Sequence, residues 1–265
     1  MQERLSRANK IAWETKAYQA WTQHLGEPSE HAHQLKTDPR YPLRHWLKYI
    51  GDPTGKRVLN LLGSHGKKAI CLALLGADVT VVDISEENQL YATQVAASAE
   101  VVLHYICSDV LNIPNEDELG EFDIVLMEFG ILHYFSDLNP LFSLVRRRLS
   151  SGGRLILTDF HPFSRKVLNN IDGNWQLKPD GNYFDNAIHE GGLAYVSLLP
   201  EKDRADLPNC LLRHWTAGEV ITSVAAQGLF IRTFEEIASS TKTIPEFYTI
   251  VADKESAHLS PLYSR

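Results

Sequence analysis

Residues 57–86 read RVLNLLGSHGKKAICLALLGADVTVVDISE. A Val- and Leu-rich run at 58–62 predicts a buried strand, and it enters a turn holding Gly63, Ser64 and Gly66. A helix-compatible run over 67–75 stops at Gly76, and a second apolar strand over 79–82 ends on Asp83. This is the order of a nucleotide-binding strand-helix-strand unit. Small residues in the turn let backbone approach a ligand, and the helix start offers N–H groups with no internal partner. An acid at the tip of the second strand suits a ribose diol. A dinucleotide site needs G-x-G-x-x-G, whereas this turn is Gly63-Ser64-His65-Gly66 after Leu62, so a dehydrogenase is disfavoured.

Four further landmarks follow at ordered spacing. A helix over 86–98 leads to a strand over 101–107 that ends in Cys107-Ser108-Asp109-Val110. Glu121-Phe122-Asp123-Ile124-Val125-Leu126-Met127 predicts a fourth strand, running into Glu128-Phe129-Gly130-Ile131-Leu132-His133-Tyr134. An amphipathic helix over 138–149 has a basic end at Arg146, Arg147 and Arg148, matching the negative pole of a helix C-terminus. Ser151-Gly152-Gly153 then turns into a fifth strand.

Together these motifs over 57–160 resemble class I S-adenosylmethionine methyltransferases, and the later stretch from the His161-Pro162-Phe163 turn through the His214-Trp215-Thr216 helix start to Ile244-Pro245-Glu246-Phe247-Tyr248-Thr249-Ile250-Val251 resembles a bacterial small-molecule group of them related to the ubiquinone- and sterol-type enzymes. The family's first motif, V-L-D-L-G-C-G-T-G, is matched at Val58, Leu59, Leu61 and Gly66. Asn60 stands where the family has an acid, and Leu62 and Ser64 stand where it has its first two glycines. Asn60 keeps hydrogen bonding there but gives up a charge, and Gly63 is expected to supply the permissive backbone one position late. The resemblance implies an α/β, Rossmann-like fold: a seven-stranded, mostly parallel sheet with helices on both faces and an antiparallel C-terminal strand. It also implies a cofactor site for S-adenosylmethionine, with S-adenosylhomocysteine (SAH) as product. The residues it assigns are Asn60, Gly63 and Ser64 at the turn, Asp83 and Ile84 at the ribose, Ser108, Asp109 and Val110 at the adenine, and Glu128 and Phe129 after the fourth strand.

Composition sets limits on the partners. The chain has 265 residues, is 44% hydrophobic and 22% charged, and carries a net charge of −7. An acidic protein lacks the clustered Lys and Arg that draw affinity from a polyanion, so no nucleic-acid substrate is expected. No membrane is expected either, because no apolar run approaches the roughly twenty residues that span a bilayer. Residues 1–10 are polar, unlike a secretory signal, and three scattered cysteines, Cys71, Cys107 and Cys210, give neither a zinc site nor a disulfide framework. A reducing cytoplasm is expected, with Cys71 and Cys107 in the core and a monomer or homodimer as the working unit.

Two regions are expected to form the acceptor pocket. Residues 1–56 read as an N-terminal helical cap, with one helix over 6–25 and another over 43–50, placed before a domain at 57–265. Trp13, Glu14 and Tyr18 are candidates to face a ligand, since polar groups alternate with rings there. Residues 161–214 are too long for an ordinary connection and read as a substrate lid, with Tyr183 as a candidate contact and an antiparallel pair expected across 181–199. Thr216 is then expected to cap a helix through Gln227, before strands at 229–234 and 247–252 close the sheet.

Methyl transfer at a sulfonium asks the protein mainly to align the acceptor and take its proton. A neutral imidazole suits that task near pH 7. His133 and His161 follow the fourth and fifth strands, while His189 and His214 lie in and after the lid, so these four are the candidate catalytic residues. His161 and His214 are favoured, and no spacing in the set suggests a metal. The expected function is methyl transfer to oxygen or nitrogen of a small-molecule acceptor. The alternative is a catalytically inactive module that binds S-adenosylmethionine or a nucleotide as a sensor or partner, on the strength of the altered turn at 60–64.

Overall fold

The computed structural model describes residues 1–171 and 174–255. Its centre is a seven-stranded sheet built from β1 (Arg57–Leu61), β2 (Asp78–Asp83), β3 (His104–Cys107), β4 (Phe122–Glu128) and β5 (Leu149–Phe160), completed by β10 (Leu229–Ala238) and β11 (Pro245–Lys254). Their order is β3-β2-β1-β4-β5-β11-β10. Only β11 runs against its neighbours, β5 and β10. This is the Rossmann-like arrangement of class I methyltransferases, with the chain reversing direction of growth between β1 and β4. Open α/β sheets bind their ligands at such a switch point, outside the carboxyl ends of the strands.

Alternation along the strands divides the core in two. Val58 and Ile124 pack on one face of the sheet, and Leu59, Leu61, Val125 and Met127 on the other. The first face is covered by α5 (Lys67–Leu74), α6 (Glu86–Ala99) and the N-terminal helices, the second by α7 (Asn139–Arg148) and α9 (Ala217–Ala226). Thr216 caps α9 in a capping box with Glu219. The basic end of α7 is fixed by Glu116 and Asp117, which pair with Arg147 and Arg148.

The N-terminal segment departs from the single helix expected over 6–25. It forms α1 (Gln2–Trp13) and α2 (Ala17–Leu25), broken at Lys16, whose φ is +64°. The break lets both Ala12 and Ala17 bury completely. The carbonyls of Ala12 and Thr15 at the break accept the buried Tyr195 hydroxyl. A further helix, α3 (Pro28–Thr37), lies between the two helices expected over 6–25 and 43–50. Its start is encoded by Glu27-Pro28-x-Glu30: Pro at the first turn, with reciprocal capping by the two glutamates. Only the short α4 (Leu47–Ile50) remains of the helix expected over 43–50.

Residues 161–214 also differ in detail. They hold α8 (Pro162–Val167), the paired β6 (Leu168–Ile171) and β7 (Asn174–Leu177), and β8 (Ile188–Gly191), which pairs with β9 (Cys210–Arg213). The antiparallel partner of 188–191 is therefore not within 181–199. Cys210 and Leu212 alternate inward and join the core shared with α1 and α2, and that burial selects β9 as the pairing strand. Among the described residues, no helix is long and apolar enough to cross a membrane. Cys71 and Cys210 are buried and free, whereas Cys107 is only half-buried.

Candidate functional site

A cavity of about 300 Å³ opens at the carboxyl ends of β1, β2 and β4. The first-strand turn contributes Leu62, Gly63, Ser64 and His65 to its wall, and Asp83 and Ile84 enter from the end of β2. Ser108, Asp109 and Val110 form a second wall, with Glu128, Phe129 and Gly130 between the two. Nine of the ten residues assigned from sequence to the cofactor thus line one space. The tenth, Asn60, lies fully buried beneath the turn. Its Nδ2 donates to the Leu126 carbonyl (3.2 Å), and among the described residues its Oδ1 finds no hydrogen-bond partner.

The turn's geometry corrects one expectation. Left-handed backbone falls on Leu62 (φ +52°), Ser64 (φ +48°) and Gly66 (φ +70°), not on Gly63. Left-handed geometry costs an L-residue roughly 1–2 kcal/mol, so two side-chain-bearing positions carry strain that glycine would not. Gly63 is required for space instead: a Cβ there would lie 2.6 Å from Asn60 Oδ1 and 2.8 Å from Val81.

Asp83 holds this turn together. Its carboxylate accepts from Ser64 N (2.9 Å), Ser85 N (3.0 Å) and Asn88 Nδ2 (3.1 Å). Burial pushes its pKa up, and these donors oppose that shift. Asp109 accepts from Leu111 N (2.9 Å) and Asn112 Nδ2 (3.4 Å), which fixes its carboxylate at the cavity wall.

The start of α5 brings cations to the cavity. Lys67 and Lys68 open α5 and line the cavity with Glu128. Lys68 Nζ lies 3.3 Å from Glu128 Oε2, with both side chains largely buried. His65 packs its ring on Trp21 at 4.4 Å. Burial, with Lys68 next in effect, drives the His65 pKa well below its usual value, so the imidazole is neutral. Behind it lies buried His31, whose pKa is pushed down to about 4, mainly by burial.

A roof closes over these walls. α1 contributes Gln2, Ser6, Asn9 and Trp13 to the lining, and the 161–214 segment contributes Ala194. The two are tied together. Asn9 exchanges two hydrogen bonds with the Leu211 backbone in β9 (3.1 and 2.8 Å). Gln2 Oε1 accepts from Ser136 N (2.8 Å), and Trp13 Nε1 donates to Tyr134 Oη (3.0 Å). Of the candidate substrate residues, only Trp13 lines the cavity. Tyr18 hydrogen-bonds Gln94 on α6, and the Tyr183 hydroxyl accepts from Ala217 N at the start of α9.

None of the four candidate histidines lines this cavity. The 130–135 segment is the dividing wall: Gly130, Ile131, Tyr134 and Phe135 face the cavity. Leu132 and His133 face a separate pocket of about 30 Å³ behind it, together with His214, Arg165 and Asp159. Asp159 fixes this wall by accepting from Gly130 N (2.6 Å) and Leu132 N (3.0 Å). Burial lowers the His133 pKa strongly and takes His214 down to about 4. His161 caps α8 by accepting from Phe163 N (3.2 Å) and pairs with Glu236 (3.1 Å). Exposed His189 pairs with Asp185 (2.8 Å). A strand-end position brings a residue to the right edge of the sheet, but side-chain direction decides which side of the wall it serves. The cavity's own imidazole, His65, was visible in the Gly63-Ser64-His65-Gly66 turn, and Tyr134 directly follows His133.

Residues 61–157 match the family described as a methyltransferase domain. That segment holds every strand-end residue of the cavity wall. Over 125 residues the chain is 33% identical to YqeM of Bacillus subtilis (strain 168), which carries a methyltransferase name. The match covers 45% of this chain and 49% of YqeM, so the chain spans about half the length of that curated relative. Among solved structures it is similar to an S-adenosylmethionine dependent methyltransferase from Mesorhizobium loti, with TM-score 0.60, 20% identity, and coverage of 83% of this chain and 99% of the other. It is also similar to the magnesium protoporphyrin IX methyltransferase of Synechocystis PCC 6803 with bound SAH, with TM-score 0.58, 16% identity, and coverage of 94% and 99%. The fold is that of class I methyltransferases, and its strand-helix core carries the methyltransferase-domain sequence signature.

Proposed function

We propose that the protein is a methyltransferase that uses S-adenosylmethionine to methylate oxygen or nitrogen of a small-molecule acceptor. The observation that carries this reading is the convergence of the turn, Asp83, the 108–110 corner and the 128–130 segment on one cavity. The cavity fits an adenosyl group. Asp109 offers carboxylate oxygens with free lone pairs beside apolar Val110, Ile131 and Phe135, and Asp83 stands one strand away. The cradle at Gly63, which any Cβ would fill, leaves backbone open to a ligand.

S-adenosylmethionine, when bound, supplies an electrophilic methyl group on a sulfonium. The chain's own residues then have three tasks. Asp83 and Asp109 fix the nucleoside by accepting hydrogen bonds. α1, Trp13 and Ala194 exclude water from above, so that residues 1–56 act as a cap and 161–214 as the lid joined to it. Proton removal falls to groups that line the cavity, among which His65 is neutral and Glu128 is paired with Lys68. Free cysteines fit a reducing cytoplasm.

The test is SAH release from S-adenosylmethionine over a panel of hydroxyl- and amine-bearing metabolites. At least one acceptor is expected to give turnover that Asp109→Ala removes. Binding of S-adenosylmethionine without turnover on any acceptor would favour the binding-module alternative. No binding would end the proposal.

A further inference from the structure

The charge that the start of α5 brings to the cavity is out of balance. Lys67 and Lys68 bring two positive charges and Glu128 brings one negative charge. Glu128 lies 3.3 Å from Lys68 and also acts on Lys67, so it offsets one of the two positive charges. His65 is neutral, and the residue under the turn is Asn60, not an acid. One positive charge is therefore left over, and Lys67 is the lysine of the two that forms no ion pair among the described residues. It is half-buried, and among the described residues no carboxylate lies within ion-pair distance of its ammonium. Burial and the neighbouring Lys68 lower its pKa, with Cys71 and Glu128 opposing them. A partly desolvated cation is costly unless something of opposite charge meets it. The unpaired first-turn N–H groups of α5 add to the same positive field.

We infer that Lys67 anchors a ligand carboxylate in the cavity at the start of α5. The inference rests on the methyltransferase reading and deepens it, because it says which part of a ligand faces α5. The carboxylate has two available sources: the amino-acid end of the methyl donor, or an acid group on the acceptor. In either case the altered turn makes chemical sense. Replacing an acid at position 60 by Asn60 removes a negative charge near the site, and Lys67 biases what remains toward holding an anion. Lys68 does not compete for that role, since Glu128 and the faces of Trp46 and Phe129 already hold its ammonium.

The experiment is calorimetric titration of the full chain, wild type and Lys67→Met, with SAH and with its decarboxylated analogue S-adenosyl-thiopropylamine. Benzoate is then titrated into the SAH-saturated proteins. If the carboxylate is the donor's, Lys67→Met weakens SAH by about tenfold or more and leaves the analogue unchanged. Lys67→Arg, which keeps the charge, restores most of the loss. If the carboxylate is the acceptor's, SAH affinity stays as it was and benzoate binding to the SAH-loaded protein is lost in Lys67→Met. Equal weakening of SAH and the analogue, or no change in any titration, overturns the inference while leaving the methyltransferase reading intact. Failure of wild-type protein to bind SAH at all overturns both, and so separates the two failures.

Discussion

The two faces of the 130–135 wall hold different chemistry, although both sit at the carboxyl edge of the same sheet. On the cavity face, carboxylates at strand ends are held open by backbone donors, as Asp109 is by Leu111 N. On the far face, His133 and His214 are confined with Asp159 in a space of about 30 Å³. Burial there lowers the pKa of both imidazoles. The contrast teaches that topology fixes where a ligand binds, while the direction of each side chain off the strand end decides which residues meet it.

The largest expected effect belongs to Asp83→Asn. The substitution removes a charge that three donors share and points an amide N–H₂ toward at least one of them. Losing charge-assisted bonds at a buried site costs about 3 kcal/mol. The expected outcome is a clear drop in urea midpoint together with SAH affinity weakened at least tenfold, because the same carboxylate fixes the turn. Unchanged stability would mean that Ser64 N and Ser85 N do not depend on Asp83.

A smaller effect sharpens the comparison through pH. His31 is buried behind His65, with its pKa pushed from 6.5 to about 4. The depressed value means that the unfolded chain binds the proton more readily, so its contribution is present above pH 6.5 and lost as pH falls towards 4. By linkage this removes roughly 2 kcal/mol of stability between pH 7 and pH 5. His31→Leu should flatten that slope in denaturation curves taken across the window. His214, also near 4, should add to the wild-type slope from the far face. If His31→Leu leaves the slope unchanged, the acid sensitivity resides elsewhere.

The smallest effect concerns the turn. Ser64 holds φ at +48°, so Ser64→Gly should relieve strain and raise stability by about 0.5–1 kcal/mol after the entropy cost of glycine. A loss of stability would show that the Ser64 hydroxyl contributes more than the backbone strain takes away.

The parts legible from sequence share a physical cause. Strand-end acids follow apolar runs that can only be buried strands, so Asp83 and Asp109 could be placed by counting. The order of the sheet and its single antiparallel strand came from the resemblance to class I methyltransferases, since the runs alone give no strand direction. Direction was harder. Nothing local in Leu132-His133-Tyr134 says that His133 turns away from the cavity while Tyr134 turns toward it, because Asp159 sets that twist from 26 residues downstream. Long-range polar ties were equally hidden, as with Asn9 reaching Leu211 and Tyr195 reaching the end of α1. The α3 helix was within reach: the Glu27-Pro28-x-Glu30 start signal was present but overshadowed by polar composition.

The central claim is that the strand-end acids, and not the histidines, meet the ligand. It is tested most directly by titrating SAH into the wild type, Asp109→Ala, His161→Ala and His214→Ala proteins under one condition. Saturable binding to the wild type is expected, with a loss of at least about tenfold for Asp109→Ala and affinities within about twofold of wild type for the two histidine variants, which lie outside the cavity. Histidine variants that lose SAH while Asp109→Ala keeps it would contradict the account.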